Sequence, residues 1–143
     1  MSTNQPSSSM KSVPSKAGEL YGPNVLYLES ADVNSDGSLV VKNLNNGNKL
    51  IIVMFQATWC GHCSNAKKLV QPLADKYANS ICFTTVQNDD TMQSGVSASF
   101  GSGFPGIPAV KGFPTYYIFS SDGVFLQEGS RDVPKLFESV MSM

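Results

Sequence analysis

A strongly apolar run that ends at a Cys-x-x-Cys pair is the feature that most constrains the fold of this chain. The run Leu50–Phe55 is rich in β-branched residues, which is typical of a buried strand. The residues after Cys60 have a helical pattern, so the thiols of Cys60 and Cys63 lie where a strand passes into a helix. Unpaired N–H groups and the dipole at a helix N terminus favour an anion there. Because the thiolate is the attacking species in disulfide exchange, this position predicts a redox-active cysteine pair.

Length and charge indicate one globular domain without a nucleic-acid partner. The 143 residues are enough to bury a core, and 41% of them are hydrophobic. A formal net charge of -1 gives no electrostatic attraction to nucleic acid. Three cysteines are too few for a disulfide scaffold. Because Cys82 lies in an apolar run, we expect it to be a small core residue. We expect the chain to be a monomer.

The beginning of the chain has the composition of a tail. Residues 1–23 are rich in Ser, Pro, Asn and Gln and lack periodicity, which predicts a disordered or extended segment before a folded domain at 24–143. The N terminus has no apolar core of the length that a secretory signal needs, and no later run approaches ~20 apolar residues. With no retention signal at the C terminus, these features predict a cytoplasmic protein without a membrane span.

The rest of the chain alternates between strand and helix patterns. The predicted elements are strands at Val25–Leu28 and Leu50–Phe55, a helix after Cys60, a strand at Ile81–Val86, a short helix at Gln93–Phe100, a hairpin of Thr115–Phe119 and Val124–Leu126, and a helix at Val133–Met141. Between residues 30 and 48, turn signals and the extended piece Leu39–Val41 indicate strands and turns without a helix. Asp89 and Asp90 precede the short helix, and either is a candidate cap. This order predicts an α/β fold with a central mixed sheet flanked by helices.

Three local patterns carry a family resemblance. They are the strand that leads into Trp59–Cys63, the segment Gly112–Thr115 at the start of a later strand, and Gly129 after the last strand. Together they resemble the thioredoxin superfamily over roughly residues 25–143, which implies a thioredoxin-like fold. The resemblance also implies that Pro114 is the family's cis-proline, which faces the dithiol and brings the backbone of Phe113 beside the first cysteine for an extended substrate.

The residues around the two cysteines refine this resemblance. It implies that Cys60 is the nucleophile and Cys63 the resolving thiol. The Gly61-His62 dipeptide between them is similar to protein disulfide isomerases, and bacterial-type thioredoxins carry Gly-Pro there. This implies that His62 stabilises the thiolate and makes the disulfide a better oxidant, with an exposed spectator histidine as the alternative. Trp59 is implied to form a partly exposed wall of the site, with simple packing as the alternative.

The sequence departs from the family pattern at three places. Met54 lies six residues before the first cysteine, where thioredoxins and disulfide isomerases have a buried acid that helps proton transfer. Gln56 replaces the usual aromatic residue. The connection from Cys63 to Pro114 is also longer than is common, by roughly ten residues. These departures imply a specialised set of partners.

The resemblance implies an enzyme, a thiol–disulfide oxidoreductase of the thioredoxin type. Its expected partners are protein thiols and disulfides, together with an external reductase or glutathione, and its direction as reductase, oxidase or isomerase stays open. We expect no cofactor and no metal, because no second Cys-x-x-Cys or His-x-x-x-His pair accompanies Cys60 and Cys63. The alternative is a binding or structural protein that uses the surface of the site to dock a partner with little turnover.

Overall fold

The computed structural model describes residues 21–143, so most of the predicted tail, residues 1–20, lies outside the described residues. The described chain forms one five-stranded sheet with helices packed against both faces. Its strands are β1 Val25–Tyr27, β2 Leu50–Gln56, β3 Ile81–Gln87, β4 Thr115–Phe119 and β5 Phe125–Glu128. Its α-helices are α1 Val41–Leu44, α2 Gly61–Lys76, α3 Ser94–Ser102 and α4 Val133–Met141.

The sheet is mixed, with the strand order β1-β3-β2-β4-β5. β1, β3 and β2 are parallel, whereas β4 pairs antiparallel with both β2 and β5. Every residue of the central strand β2 after Leu50 is buried, which explains why this run is continuously apolar up to its last residue. The predicted α/β fold with a central mixed sheet flanked by helices is confirmed. Because β2 leads directly into α2, the cysteine pair lies at the carboxyl end of the central strand.

Successive side chains of β2 contribute to two hydrophobic cores on opposite faces of the sheet. Ile52 lies in the core that α2 and α4 cover, and Val53 lies in the core that α1 and α3 cover. In the first core, Phe137 of α4 stacks on Phe83 of β3 with ring centroids 5.6 Å apart. The β2 side chains on one face of the sheet, among them Ile52 and Met54, therefore pack in the core that holds α2 and its cysteines.

The prediction that residues 30–48 contain no helix is wrong. A short 3-10 helix covers Ser30–Asp32, and α1 covers Val41–Leu44, beginning at the end of the expected extended piece. Helix α1 has a single turn, which is too short to show a helical repeat in the sequence; the burial of Leu44 stabilises it instead. It ends at Asn45, whose φ of 50° is in the left-handed region that Asn tolerates.

Residues at the end of the predicted tail contact the folded domain. The N–H of Gly22 donates to Oε1 of Gln71 on α2 at 2.7 Å. The Tyr21 hydroxyl lies 3.4 Å from Sδ of Met54 and 3.4 Å from Oε1 of Gln56, both on β2. The packed part of the chain thus includes residues before 24.

Candidate active site

Cys60 and Cys63 form a disulfide at the start of α2. Their Cα atoms are 5.2 Å apart. Cys60 is the N-cap residue of the helix, and its Sγ accepts a hydrogen bond from the N–H of Cys63 at 3.1 Å. Cys60 is 7% exposed, and Cys63 is completely buried. The outer sulfur is therefore the one that a partner can reach, and the helix N terminus directs N–H groups toward it.

An aromatic pair, the exposed Trp59 and the partly buried Phe113, lies at the residue before the first cysteine. The Trp59 side chain is 68% exposed, and its ring packs edge-to-face against Phe113 with centroids 5.7 Å apart. The peptide bond between Phe113 and Pro114 is cis. The structure thus brings together the end of β2 and the segment before β4, which are more than fifty residues apart in the sequence.

The two residues between the cysteines are exposed on the first turn of α2. A Cβ atom added to Gly61 would meet no heavy atom within 4 Å, so packing does not require a glycine at this position. The His62 side chain also projects from this turn, one residue before the buried Cys63. An exposed imidazole beside the first cysteine can change the electrostatic potential at its sulfur without disturbing the core.

A polar layer lies at the carboxyl end of β2, on the face covered by α2. Met54 is completely buried, and the Gln56 side chain donates from Nε2 to Oγ1 of Thr85 at 2.9 Å. The Thr85 hydroxyl in turn donates to the Met54 carbonyl at 2.9 Å. Tyr116, the partner of Met54 on β4, is also fully buried, and burial raises the pKa of its hydroxyl. This layer is built from neutral groups.

Sequence reasoning missed the contact that holds the loop before Cys60. The N–H of Thr58 donates to Oδ1 of Asp89 at 3.1 Å, and the Thr58 hydroxyl donates to Oδ2. The prediction that Asp89 or Asp90 caps the short helix is wrong, because no side chain caps α3. The Asp90 carboxylate accepts the N–H of Met92 at 2.9 Å in the turn before that helix. The only sign of the contact between Asp89 and Thr58 in the sequence was the pair of adjacent acidic residues. Such a pair does not reveal a partner 31 residues away.

The third cysteine, Cys82, differs from this pair in its environment and in its reactivity. Cys82 is a free thiol buried in the core that α1 and α3 cover, as predicted. Desolvation raises the pKa of its thiol to about 11, and the nearby Lys49 opposes part of that rise. Its thiol is neutral near physiological pH, so it is not available as a nucleophile.

Within residues 21–143, no three or more His, Cys, Asp or Glu side chains are grouped so that they could hold a metal ion. None of the helices described above combines the length and apolar character that would let it cross a membrane.

Comparisons with known proteins place the chain among related sequences and folds. It is 38% identical over 76 residues to the thioredoxin-like protein 453L of Invertebrate iridescent virus 6, an alignment that covers 46% of this chain and 54% of the relative. It is 32% identical over 118 residues to protein disulfide-isomerase of Saccharomyces cerevisiae, covering 75% of this chain and 21% of that protein. The chain therefore spans less than two thirds of the length of either relative.

Among solved structures, the long form of thioredoxin f from spinach chloroplast superimposes with a TM-score of 0.59 at 16% identity. The match covers 82% of this chain and 84% of the spinach chain, which shows that the fold is thioredoxin-like. The Thioredoxin family model matches residues 37–142, a span that includes the cysteine pair, the aromatic pair of Trp59 and Phe113, and all of the sheet except β1. The chain belongs to the thioredoxin family.

Proposed function

We propose that this protein is a thiol–disulfide oxidoreductase that acts on protein substrates, with Cys60 as the nucleophile and Cys63 as the resolving thiol. The observation that carries the proposal is the asymmetry of the pair. Cys60 is the N-cap of α2 and keeps 7% exposure, whereas Cys63 is completely buried. A substrate sulfur can reach the first cysteine, and the second can reach only the first.

In the reducing direction the chemistry takes two displacement steps. The Cys60 thiolate attacks one sulfur of a substrate disulfide, which forms a mixed disulfide and releases the other substrate sulfur as a thiolate. The Cys63 thiolate then attacks Cys60 Sγ, which forms the Cys60–Cys63 disulfide and releases the second substrate thiolate. The substrate gains two electrons and the pair loses two. Water or buffer takes up the protons of the two cysteines and supplies those of the released thiols. An external reductase or glutathione then restores the dithiol.

The aromatic pair of Trp59 and Phe113 supports a protein substrate. Trp59 and Phe113 offer apolar surface next to Cys60, and an extended substrate segment can pair with the backbone that precedes Pro114. His62 supports a role as an oxidant of substrate thiols. Stabilising the Cys60 thiolate stabilises the reduced pair, and this makes the Cys60–Cys63 disulfide a better oxidant. Equilibration against glutathione decides the direction: a potential near about -270 mV indicates a reductase, and one near about -180 mV an oxidant or isomerase.

Reduction of insulin by dithiothreitol tests the proposal. The wild-type protein should accelerate insulin precipitation, and Cys60→Ser should not. Cys63→Ser should accumulate a mixed disulfide with a substrate protein, because the resolving step is lost. Turbidity curves for the wild type and Cys60→Ser that coincide would contradict the proposal.

A second candidate function is partner docking with little turnover. The observation that favours it is Met54, which cannot exchange a proton, in the buried layer at the end of β2. If the protein is a docking protein, the wild type and the double variant Cys60→Ser/Cys63→Ser should bind the partner equally well. An oxidoreductase would trap its partner in the single variant Cys63→Ser and lose that trapped complex in the double variant, which has no nucleophile.

The cellular setting is also part of the proposal. We infer a reducing, cytoplasmic compartment in which an external reductase or glutathione regenerates the dithiol and the protein acts as a monomer. The use of cysteine supports this: the described chain has one redox pair and one buried free thiol. Microscopy of a tagged full-length protein tests the compartment, and sedimentation of the reduced protein tests the monomer.

A further inference from the structure

We propose that Asp89 is a positioning residue for the cysteine pair: it clamps the loop before Cys60 and thereby holds the Cys60 sulfur where α2 stabilises its anion. This inference rests on the proposed exchange chemistry at Cys60. It assigns to Asp89 a role in the reactivity of the site through Thr58, without contact between Asp89 and the substrate.

The clamp is a carboxylate that accepts two hydrogen bonds from one residue. Oδ1 of Asp89 accepts the N–H of Thr58 at 3.1 Å, and Oδ2 accepts the Thr58 hydroxyl. Thr58 and Trp59 are the two central residues of a turn that the N–H of Cys60 closes by donating to the Ala57 carbonyl at 3.2 Å. Asp89 therefore fixes the turn that delivers the chain to the N-cap position of α2.

The other end of the clamp is itself anchored to the sheet. The N–H of Asn88 donates to the Gln56 carbonyl at 2.7 Å, which extends the parallel pairing of β2 and β3 by one bond. The N–H of Asp90 donates to the Gln87 carbonyl at 3.2 Å. Asp89 thus projects from a segment that is tied to the same strand that leads into Cys60. A rigid support of this kind is what a positioning residue requires.

The Asp89 carboxylate affects the Cys60 thiolate in two opposite ways. By holding the turn, it keeps Sγ of Cys60 in line with the N–H of Cys63, and this hydrogen bond lowers the pKa of the thiol. By its negative charge, it disfavours a second anion and raises that pKa. If positioning is the larger effect, a variant that loses both the hydrogen bonds and the charge must have a higher Cys60 pKa. A variant that loses the charge alone must have a lower one.

Two substitutions at Asp89 separate these effects. Asp89→Asn keeps an acceptor for the Thr58 N–H and a partner for its hydroxyl but removes the charge, whereas Asp89→Ala removes both. The measurement is the rate of iodoacetamide alkylation at Cys60 of the reduced protein as a function of pH, with the modified site assigned by mass spectrometry. We expect Asp89→Ala to raise the pKa of Cys60 by roughly half a unit or more, and Asp89→Asn to leave it at or below the wild-type value. Thr58→Val, which removes only the hydroxyl, should raise it by less than Asp89→Ala.

A matched control separates positioning from a loss of stability. Asp132 is the N-cap of α4, and its carboxylate accepts the N–H of Lys135 at 3.2 Å. Asp132→Ala therefore makes the same substitution and also removes a backbone hydrogen bond, but on another helix. It should lower the urea midpoint and leave the pKa of Cys60 unchanged.

Three results would overturn the inference. They are a fall of the pKa in both Asp89 variants, which indicates charge alone; no shift in either variant; and a rise in Asp132→Ala as large as that in Asp89→Ala. The insulin assay of the wild type is a separate readout. If the wild type fails to reduce insulin, the proposed function fails, while the alkylation profiles still decide the role of Asp89.

Discussion

The backbone N–H of Cys63 points at Sγ of Cys60, 3.1 Å away, so the completely buried cysteine supports the other one through the main chain. This bond survives reduction of the disulfide if the first turn of α2 keeps its geometry. A sulfur that accepts such a bond at a helix N terminus carries negative charge more easily than a free thiol does.

Selective alkylation of the reduced protein follows from this arrangement. We expect iodoacetamide to modify Cys60 at least about tenfold faster than Cys63 or Cys82 near neutral pH. Cys63 is completely buried, and burial raises the pKa of Cys82 to about 11, so Cys82 stays protonated below that pH. Peptide mapping after timed quenching measures the three rates. Faster modification of Cys63 would contradict the assignment of the nucleophile.

Replacement of His62 should make the pair more reducing. If the imidazole stabilises the Cys60 thiolate, then His62→Ala destabilises the dithiol form, and the potential should fall by roughly 30 mV or more. Equilibration with glutathione buffers, followed by thiol trapping, measures this shift. Lys68→Ala removes an exposed cationic side chain later on the same helix and should change the potential much less. An unchanged potential in His62→Ala would identify the histidine as a spectator.

The core beneath α2 and α4 should depend strongly on one ring. Phe137 stacks on both Phe83 and Tyr77, with centroids 5.6 Å and 5.8 Å away, and it is 1% exposed. We expect Phe137→Ala to lower the free energy of unfolding by about 3–5 kcal/mol. Urea denaturation measures the change.

The matched control for that substitution lies on the same helix. Met141 is 45% exposed, and Met141→Ala should change the unfolding free energy by less than about 0.5 kcal/mol. Similar losses in the two variants would show that the loss in Phe137→Ala does not arise from the ring contacts of Phe137.

An acid placed at position 54 should couple stability to pH. Met54 is completely buried, so desolvation should raise the pKa of the new carboxyl in Met54→Asp above its unfolded value of about 3.9. The folded state then binds more protons than the unfolded state between the two pKa values. Relative to wild type, stability should be highest below the unfolded pKa and should fall as pH rises toward the folded pKa.

Urea denaturation at a series of pH values measures this dependence. The control is Met54→Asn, whose new side chain is neutral and has a shape similar to that of Asp. This variant should be destabilised by an amount that does not vary with pH. If Met54→Asp and Met54→Asn gave parallel curves, the site would be hydrated enough to hold a charge without penalty.

The fold was predictable where the signal was local and repeated. The run Leu50–Phe55 indicated a buried strand because each of its side chains faces one of two cores, and the motif that follows it fixed the start of α2. Helix α1 was not predictable for the opposite reason. Its single turn is stabilised by the burial of Leu44 against distant residues, which leaves no repeat in the sequence.

The cysteine pair was predictable, but its supports were not. Cys60 and Cys63 lie three residues apart where a strand pattern passes into a helix pattern, and that position predicted a redox pair. Asp89 reaches Thr58 only because β3 pairs in register with β2. The contacts of Tyr21 with β2 were hidden in the same way, since a polar composition around it suggested only a tail.

The edge-to-face packing of Trp59 on Phe113 has a consequence for the thermodynamics of recognition. Each ring restricts the rotamers of the other before any ligand arrives. A peptide that binds across them meets a preorganised surface, so little conformational entropy is lost on the protein side. Binding of a peptide to the oxidised protein should therefore give a negative heat-capacity change that reflects apolar burial alone. It should lack the additional contribution of a loop that becomes ordered on binding.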